Sequence, residues 1–287
     1  MNDRGRTRLY RRLPRSRRAV VGGLILLVVV LTALLAPWLA PYDPLDQDLL
    51  DRGHPASAEH PLGLDEVGRD NLSRVMHGAR LSLQIGVVSV TLALAAGGLL
   101  GLAAGYRGGW LDSAITSALD VVQAVPSLLL AIVVVAILGR GLHNVIYGVA
   151  IAMVPVYARL TRVGVLAAKE QPYVEAARAL GVRRGRLLVY HILPACLTPL
   201  LVQATLGVGT AILEAAGLSF LGLGVQPPAP EWGAMLGQGR GAVLSAPHIV
   251  LYPGLAIAIT VLGFNLLGEG VQEALDVHRW TTTQTPK

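Results

Sequence analysis

The sequence predicts an all-α membrane protein with six transmembrane helices. Its 287 residues are 53% hydrophobic and only 15% charged, and the mean hydropathy is +0.56. Six apolar stretches approach the roughly 20 residues that a spanning helix needs. Most basic residues flank these stretches, a pattern typical of proteins oriented in a membrane.

The apolar stretches set the approximate bounds of the predicted helices. In chain order they are Val20 to Ala40, Leu81 to Gly105, Ser117 to Leu138, Val145 to Val165, Leu197 to Gly217, and Ile249 to Leu267. Arg159 and Arg162 interrupt the fourth stretch, so we expect that helix to continue past the membrane surface. No stretch remains that could form a second, soluble domain.

The distribution of Lys and Arg predicts the orientation. With a cytoplasmic N-terminus, 18 of these residues lie on the cytoplasmic side and 6 on the other side. This asymmetry follows the positive-inside rule, so both termini are predicted to be cytoplasmic. The implied organisation is a basic cytoplasmic tail (1–18), a first transmembrane helix (19–40), an extracytoplasmic segment (41–80), a five-helix core (81–276) with a cytoplasmic loop (166–194), and a cytoplasmic tail (277–287).

The first apolar stretch could also be a secretion signal, because it follows the twin arginine Arg17 and Arg18. Its apolar core is longer than the roughly 7 to 15 residues of a signal peptide. We therefore expect a retained membrane helix.

The segment 41–80 is rich in Pro, Gly and Asp, which favours turns, and Asp70 is suited to cap a short helix. Asp65, Glu66 and Asp70 could suggest a metal site. Because they lack the spacing of an oxygen-ligand loop, capped and solvated turns are the preferred interpretation, and no metal site is predicted.

Motifs for catalysis and nucleotide binding are missing from the sequence. The only lysines, Lys169 and Lys287, do not form a P-loop, and there is no zinc-protease or nucleophile-elbow motif. The single cysteine, Cys196, excludes an intrachain disulfide. The net charge of +6 comes from the tail and the loops, so it favours membrane orientation over nucleic-acid binding. The sequence therefore predicts neither an enzyme nor a bound cofactor.

Polar side chains recur at helical spacing in two of the apolar stretches. The third contains Thr116, Asp120, Gln123 and Ser127, and the fifth contains Gln203, Thr210 and Glu214. Ionisable groups within a membrane usually face a bundle interior or a water-filled cavity. We expect a role in a translocation pathway for Asp120, Gln123, Ser127, Gln203, Thr210 and Glu214. Hydrogen bonding between helices, or headgroup water for Asp120, remains the alternative.

The second stretch contains Gly97, Gly101 and Gly105, a small-residue pattern that predicts close helix packing.

The cytoplasmic loop predicts two short helices. "AAKEQPYVEAARALG" favours the first, with Gly181 at its left-handed C-terminal position, and the second runs from about Arg184 to His191, before Pro194. Val174, Ala177 and Leu180 or Gly181 are expected to form an apolar ridge edged by Glu175 and Arg178. Physical reasoning alone leaves two alternatives, a docking element for another protein and an amphipathic helix on anionic lipid.

The motif in this loop resembles the EAA loop of ABC importer permeases, which docks into a cleft of the cytoplasmic ATPase. It consists of Glu175-Ala176-Ala177, then Gly181, then Leu193-Pro194. His191 departs from the usual isoleucine. The resemblance implies ATPase docking by Val174, Glu175, Ala176, Ala177, Arg178, Leu180 and Gly181.

Three further stretches resemble the C-type permease subunit of the dipeptide/oligopeptide/nickel importers, above all its dipeptide members. They are "HPLGLDEVGRDNLSRVMHGARLSL", "GLSFLGLGVQPPAPEWGAMLGQGR" and "PGLAIAITVLGFNLLGEGVQEALD". Glu269 and Val277 stand where the family commonly has Asp and Pro.

This resemblance implies a type I ABC importer fold in the bacterial inner membrane, and transport of di- or oligopeptides. The implied partners are a homologous second permease, two ATPase subunits that hold ATP and Mg²⁺, and an extracytoplasmic binding protein, with membrane lipid around the chain. The alternatives are a permease for nickel or another small solute and, from a different class, a stand-alone secondary transporter.

Overall fold

The computed structural model describes the backbone of residues 16–280 and the side chains of residues 16–274. Ten α-helices make up most of this range. They are α1 (Arg17–Leu39), α2 (Asn71–Arg107), α3 (Gly109–Gln123), α4 (Ser127–Leu138), α5 (Leu142–Lys169), α6 (Pro172–Ala179), α7 (Arg184–Leu187), α8 (Leu193–Phe220), α9 (Trp232–Gly239) and α10 (His248–Trp280). A π-helical turn, Leu188–Ile192, joins α7 to α8, and a 3-10 turn, Arg240–Ala242, follows α9.

Five continuous helical segments of the described chain are long and apolar enough to cross a membrane. They are α1, α2, α5, the α7–α8 unit and α10. The third predicted span, Ser117 to Leu138, is instead a bent pair: α3 and α4 meet at an angle of 89°, as in a broken span or a re-entrant loop. Exposed side chains such as Leu24, Val28 and Leu34 are apolar, as expected of a surface that faces lipid. The all-α, six-span prediction is thus confirmed in class, and its third span is corrected from a straight helix to a bent pair.

Two predicted short helices are parts of longer ones. Asp70 does cap a helix, because its Oδ2 accepts from the backbone N–H of Ser73 at 2.7 Å, but that helix is the 37-residue α2. The second predicted helix likewise continues through the π-helical turn into α8, and Pro194, which has no N–H to donate, lies directly after that turn. Both short helices are therefore the first turns of spanning helices.

The α2–α5 contact forms the centre of the bundle. A Cβ atom on Gly97 would lie 2.6 Å from the carbonyl oxygen of Val154, and one on Gly105 would lie 3.0 Å from that of Arg162. A Cβ atom on Gly101 would lie closer still to the backbone of α5. The glycine pattern thus serves close helix packing, as the sequence predicts.

The short helix α9 closes the end of the bundle that carries the segment 41–80. Glu231 caps it, accepting from the backbone N–H groups of Gly233 and Ala234, each at 2.9 Å. Burial raises the pKa of Glu231 above its usual range, although these hydrogen bonds oppose the shift. The indole Nε1 of Trp232 donates to the carbonyl oxygen of Val75 at 2.9 Å, which joins α9 to α2.

Candidate functional site

Local backbone chemistry explains both ends of α6, the helix of the loop predicted to be cytoplasmic. It begins at Pro172, a position where the missing N–H costs no hydrogen bond. It ends in a Schellman motif: the N–H of Gly181 donates to the carbonyl of Arg178 at 3.0 Å, and that of Val182 to the carbonyl of Ala177 at 3.1 Å. Gly181 has φ of +76°, so the left-handed conformation requires glycine there. The predicted end at Gly181 is therefore confirmed, whereas the predicted helix is shorter than expected, because its first residues, Ala167 to Lys169, belong to α5.

The two faces of α6 differ in exposure. Val174 and Ala177 are 0% and 7% exposed and pack into the chain's own core. Glu175, Ala176 and Arg178 are exposed, and Leu180 is 84% exposed. The expectation that Val174 and Ala177 form part of an exposed ridge is therefore wrong, because the core of this chain needs them. They hold the helix in place, and the opposite face is free for a partner.

Lys169, at the end of α5, connects this region to α2. Its Nζ donates to the carbonyl oxygens of Gly105 and Tyr106, each at 3.1 Å. A cation at a helix C-terminus satisfies carbonyls that lack helical partners and opposes the negative end of the dipole. Between this junction and α6 lies a cleft of about 590 Å³ whose wall includes the basic residues Arg107, Lys169, Arg178 and Arg184.

Two ion pairs join α5 to α3. The guanidinium of Arg162 binds the Asp112 carboxylate through two hydrogen bonds, of 2.5 and 2.7 Å, and Arg159 binds Asp120. In the sequence both arginines interrupt an apolar run, and no pattern along the chain indicates their partners on α3. Asp120, predicted to line a pathway, is thus paired in a half-exposed contact, which fits the alternative of headgroup water.

The bend between α3 and α4 separates the residues of the first polar stripe. Pro126 disfavours helical backbone at Val125, so α3 ends at Gln123 and α4 starts at Ser127. Ser127 consequently does not share one straight helix face with Asp120 and Gln123. The assumption of an unbroken helix was wrong, and Pro126 was the signal in the sequence.

The structure instead joins Ser127 to the second stripe. Its hydroxyl donates to Glu214 Oε1 at 2.6 Å, and Glu214 Oε2 has no hydrogen-bond partner within residues 16–274. Thr210 is exposed on the same helix, and Gln203 lines a separate cleft of about 730 Å³ between α5, α8 and α10. These contacts leave the pathway role of all six residues a prediction.

Comparison with known proteins decides the family. Residues 97–279 match the family described as binding-protein-dependent transport system inner membrane component, and residues 7–56 match the N-terminal transmembrane domain of oligopeptide transport permease C. This chain belongs to that family of inner membrane transport components. The predicted multi-pass inner-membrane location and ABC importer permease class are thereby confirmed, and such a permease subunit is not itself an enzyme.

Similar proteins extend across nearly the whole chain. The dipeptide transport system permease protein DppC of Alkalihalophilus pseudofirmus is 48% identical, covering 93% of this chain and 88% of the relative. The di/tripeptide transport system permease protein DppC of Pseudomonas aeruginosa is 48% identical, covering 90% and 88%. The glutathione transport system permease protein GsiD of Pectobacterium atrosepticum is 47% identical, covering 93% and 89%.

Solved structures support the fold. An inward-facing structure of the MetNI methionine ABC transporter matches with a TM-score of 0.57 at 20% identity, covering 70% of this chain and 96% of the other. The type I importer permease fold expected from the EAA-like loop is confirmed by this match.

Proposed function

We propose that this chain is the permease subunit of an ATP-driven importer that moves short peptides across the inner membrane. The observation that carries the proposal is α6, a cytoplasmic helix with the EAA pattern, anchored by buried residues and exposed on its opposite face. The substrate class is supported by the names of three relatives, which refer to dipeptides, to di- or tripeptides and to glutathione, itself a tripeptide.

The proposed assembly contains a second, homologous permease, two ATPase subunits and an extracytoplasmic binding protein. ATP and Mg²⁺ bind to the ATPases, and this chain holds no cofactor. An ATPase cleft receives the exposed face of α6, with Glu175, Arg178 and Leu180 in contact.

Movement of α6 reaches the membrane through rigid connections. Val174 and Ala177 pack into the same apolar core as Leu187 and Ile192, at the start of the α7–α8 unit. That unit is helical from Arg184 to Phe220, so displacing α6 tilts the helix that carries Gln203 and Glu214. Since linked equilibria are reciprocal, ATP binding and the outward-open permease state stabilise each other.

Two substitutions in the reconstituted complex test this proposal. Glu175→Lys reverses a charge on the exposed face, and Gly181→Asp forces a side chain into the left-handed conformation that ends α6. We expect each to reduce peptide uptake, and the stimulation of ATPase activity by loaded binding protein, on the order of tenfold or more, the first by losing a charge-assisted contact and the second by straining the end of α6.

Matched controls lie nearby. Glu170→Lys reverses the same charge one residue after α5, and Gly185→Asp places the same side chain in open space at a residue without positive φ. Both are expected to retain coupling. Normal coupling in Glu175→Lys and Gly181→Asp, with all subunits still bound, would contradict the proposed docking role.

A further inference from the structure

The segment 41–80 and helix α2 bury an unusual group of charges. Asp65, Arg69 and Arg74 are 5%, 6% and 1% exposed. Asp65 Oδ2 accepts from Arg69 Nε at 2.6 Å and lies 3.4 Å from Arg74 Nε. This group therefore contains two positive charges and one negative charge, and buried charge normally requires full compensation.

Beside this group lies a cavity of about 160 Å³. Its wall includes Asp65, Arg69, Asn71 and Arg74, together with Gln238 from α9. One molecule of liquid water takes up about 30 Å³, so the cavity has room for a small ion.

Three residues that line the cavity have side-chain polar atoms that are buried and unpaired within the described residues. Arg74 Nη1 donates to the carbonyl oxygen of Pro44 at 2.9 Å, whereas its Nε and Nη2 make no hydrogen bond. Gln238 accepts from Arg69 Nη2 at 2.8 Å through Oε1, but its Nε2 has no partner. Asn71 is 0% exposed, and its Oδ1 also lacks a donor. Such groups are costly to bury unless something binds them.

The other nearby carboxylates do not compensate the excess charge. Asp70 is held by His60 Nδ1 at 3.0 Å and by the Ser73 hydroxyl at 2.7 Å, and it is not part of the cavity wall. Glu66 also lines the cavity, but it is exposed to solvent, where water screens its charge.

We propose that this cavity binds a small oxyanion that carries one hydroxyl, of the size of hydrogen phosphate or bicarbonate. Its oxygens accept from Arg74 Nε, Arg74 Nη2 and Gln238 Nε2, and its hydroxyl donates to Asn71 Oδ1. The bound anion compensates the positive charge of the second arginine and links α2 to α9. The proposal concerns this binding site alone and does not depend on which solute is transported.

Thermal unfolding of the full-length chain in lipid nanodiscs tests the site. Sodium phosphate and sodium bicarbonate are titrated separately against sodium chloride of equal ionic strength. We expect a saturable rise in melting temperature with at least one of the two, because a ligand that binds only the folded state stabilises it. A wild-type protein that responds to neither anion beyond the chloride control overturns the proposal.

The variant Gln238→Glu separates specific binding from the general effect of phosphate on hydration. Its new carboxylate can accept from Arg69 Nη2 and supplies the missing negative charge, so we expect the response to the anion to disappear. Gln47→Glu adds the same charge at an exposed position of the segment 41–80 and should respond like the wild type. Equal responses in wild type and Gln238→Glu overturn the proposal.

A second variant decides the matter if Gln238→Glu does not fold. Gln238→Met keeps the side-chain length, removes the amide donor and leaves the excess positive charge. Loss of one hydrogen bond to a charged ligand should raise the midpoint anion concentration on the order of tenfold. An unchanged midpoint contradicts the assigned contact and with it the proposal.

Discussion

Charged side chains are arranged differently at the two ends of the helix bundle. At the end formed by the segment 41–80, Asp65 and Arg69 form an ion pair whose side chains are 8% and 7% exposed. At the opposite end, which the charge distribution predicts to be cytoplasmic, the Arg159–Asp120 pair is 47% and 56% exposed, and the Arg18–Glu269 pair 62% and 52%. Buried pairs are costly to break, because each ion left behind has no water to solvate it, whereas exposed pairs exchange readily with water.

This difference suggests that the two ends of the bundle have different roles. The buried network holds the turns of the segment 41–80 against α2 and α9 in one arrangement. The exposed pairs join α3 to α5 and α1 to α10 at the other end of the bundle, where the proposed function requires motion. Three variants, in order of decreasing expected effect, test whether the two ends differ in this way.

The largest effect is expected for Asp65→Asn. Both arginines then lose their only buried carboxylate in this group, which should lower the free energy of unfolding by about 3–5 kcal/mol. Denaturant unfolding of the purified chain measures the change. Glu66→Gln is the matched control, since it removes an exposed carboxylate from the next residue and should change stability by less than about 0.5 kcal/mol. Similar values for the two variants would show that the buried network has no special rigidity.

An intermediate effect is expected for Arg162→Gln. The Arg162–Asp112 pair has two hydrogen bonds, and its side chains are only 33% and 17% exposed, so its loss should cost about 1 kcal/mol. A double-mutant cycle with Asp112→Asn isolates the interaction, and high salt should reduce it. A coupling as large as that of a buried pair, or one insensitive to salt, would contradict the proposed contrast between the ends.

Particular residues show how far the sequence predicts this structure. The apolar stretches predict five spans well because hydropathy averages over many residues, and Gly181 predicts the end of α6 because few residues tolerate its backbone conformation. The buried face of α6 could not be predicted reliably, since an apolar residue such as Val174 is equally consistent with a core position and a docking surface.

The missed parts are contacts between distant segments. Pairing of Arg162 with Asp112 and of Arg69 with Gln238 depends on how the helices pack, which spacing along one helix does not specify. The bend at Pro126, by contrast, has a signal in the sequence, namely the proline itself. The long apolar run around it favours a straight helix, and that pattern led to the wrong prediction. Local rules therefore found the elements, and tertiary packing decided which polar residues meet.

The smallest effect is expected for Arg18→Gln. Arg18 Nη1 lies 3.4 Å from Glu269 Oε2, and both side chains are largely exposed, so removing the pair should change the free energy of unfolding by less than about 0.5 kcal/mol. The α1–α10 contact depends instead on backbone proximity: a Cβ atom on Gly22 would lie 2.5 Å from the backbone nitrogen of Leu267. Gly22→Val is therefore the informative counterpart and should destabilise the chain strongly in the same denaturant assay. If Arg18→Gln matched Gly22→Val in its effect, charge would hold this cytoplasmic edge as firmly as packing does, and the contrast between the two ends would fail.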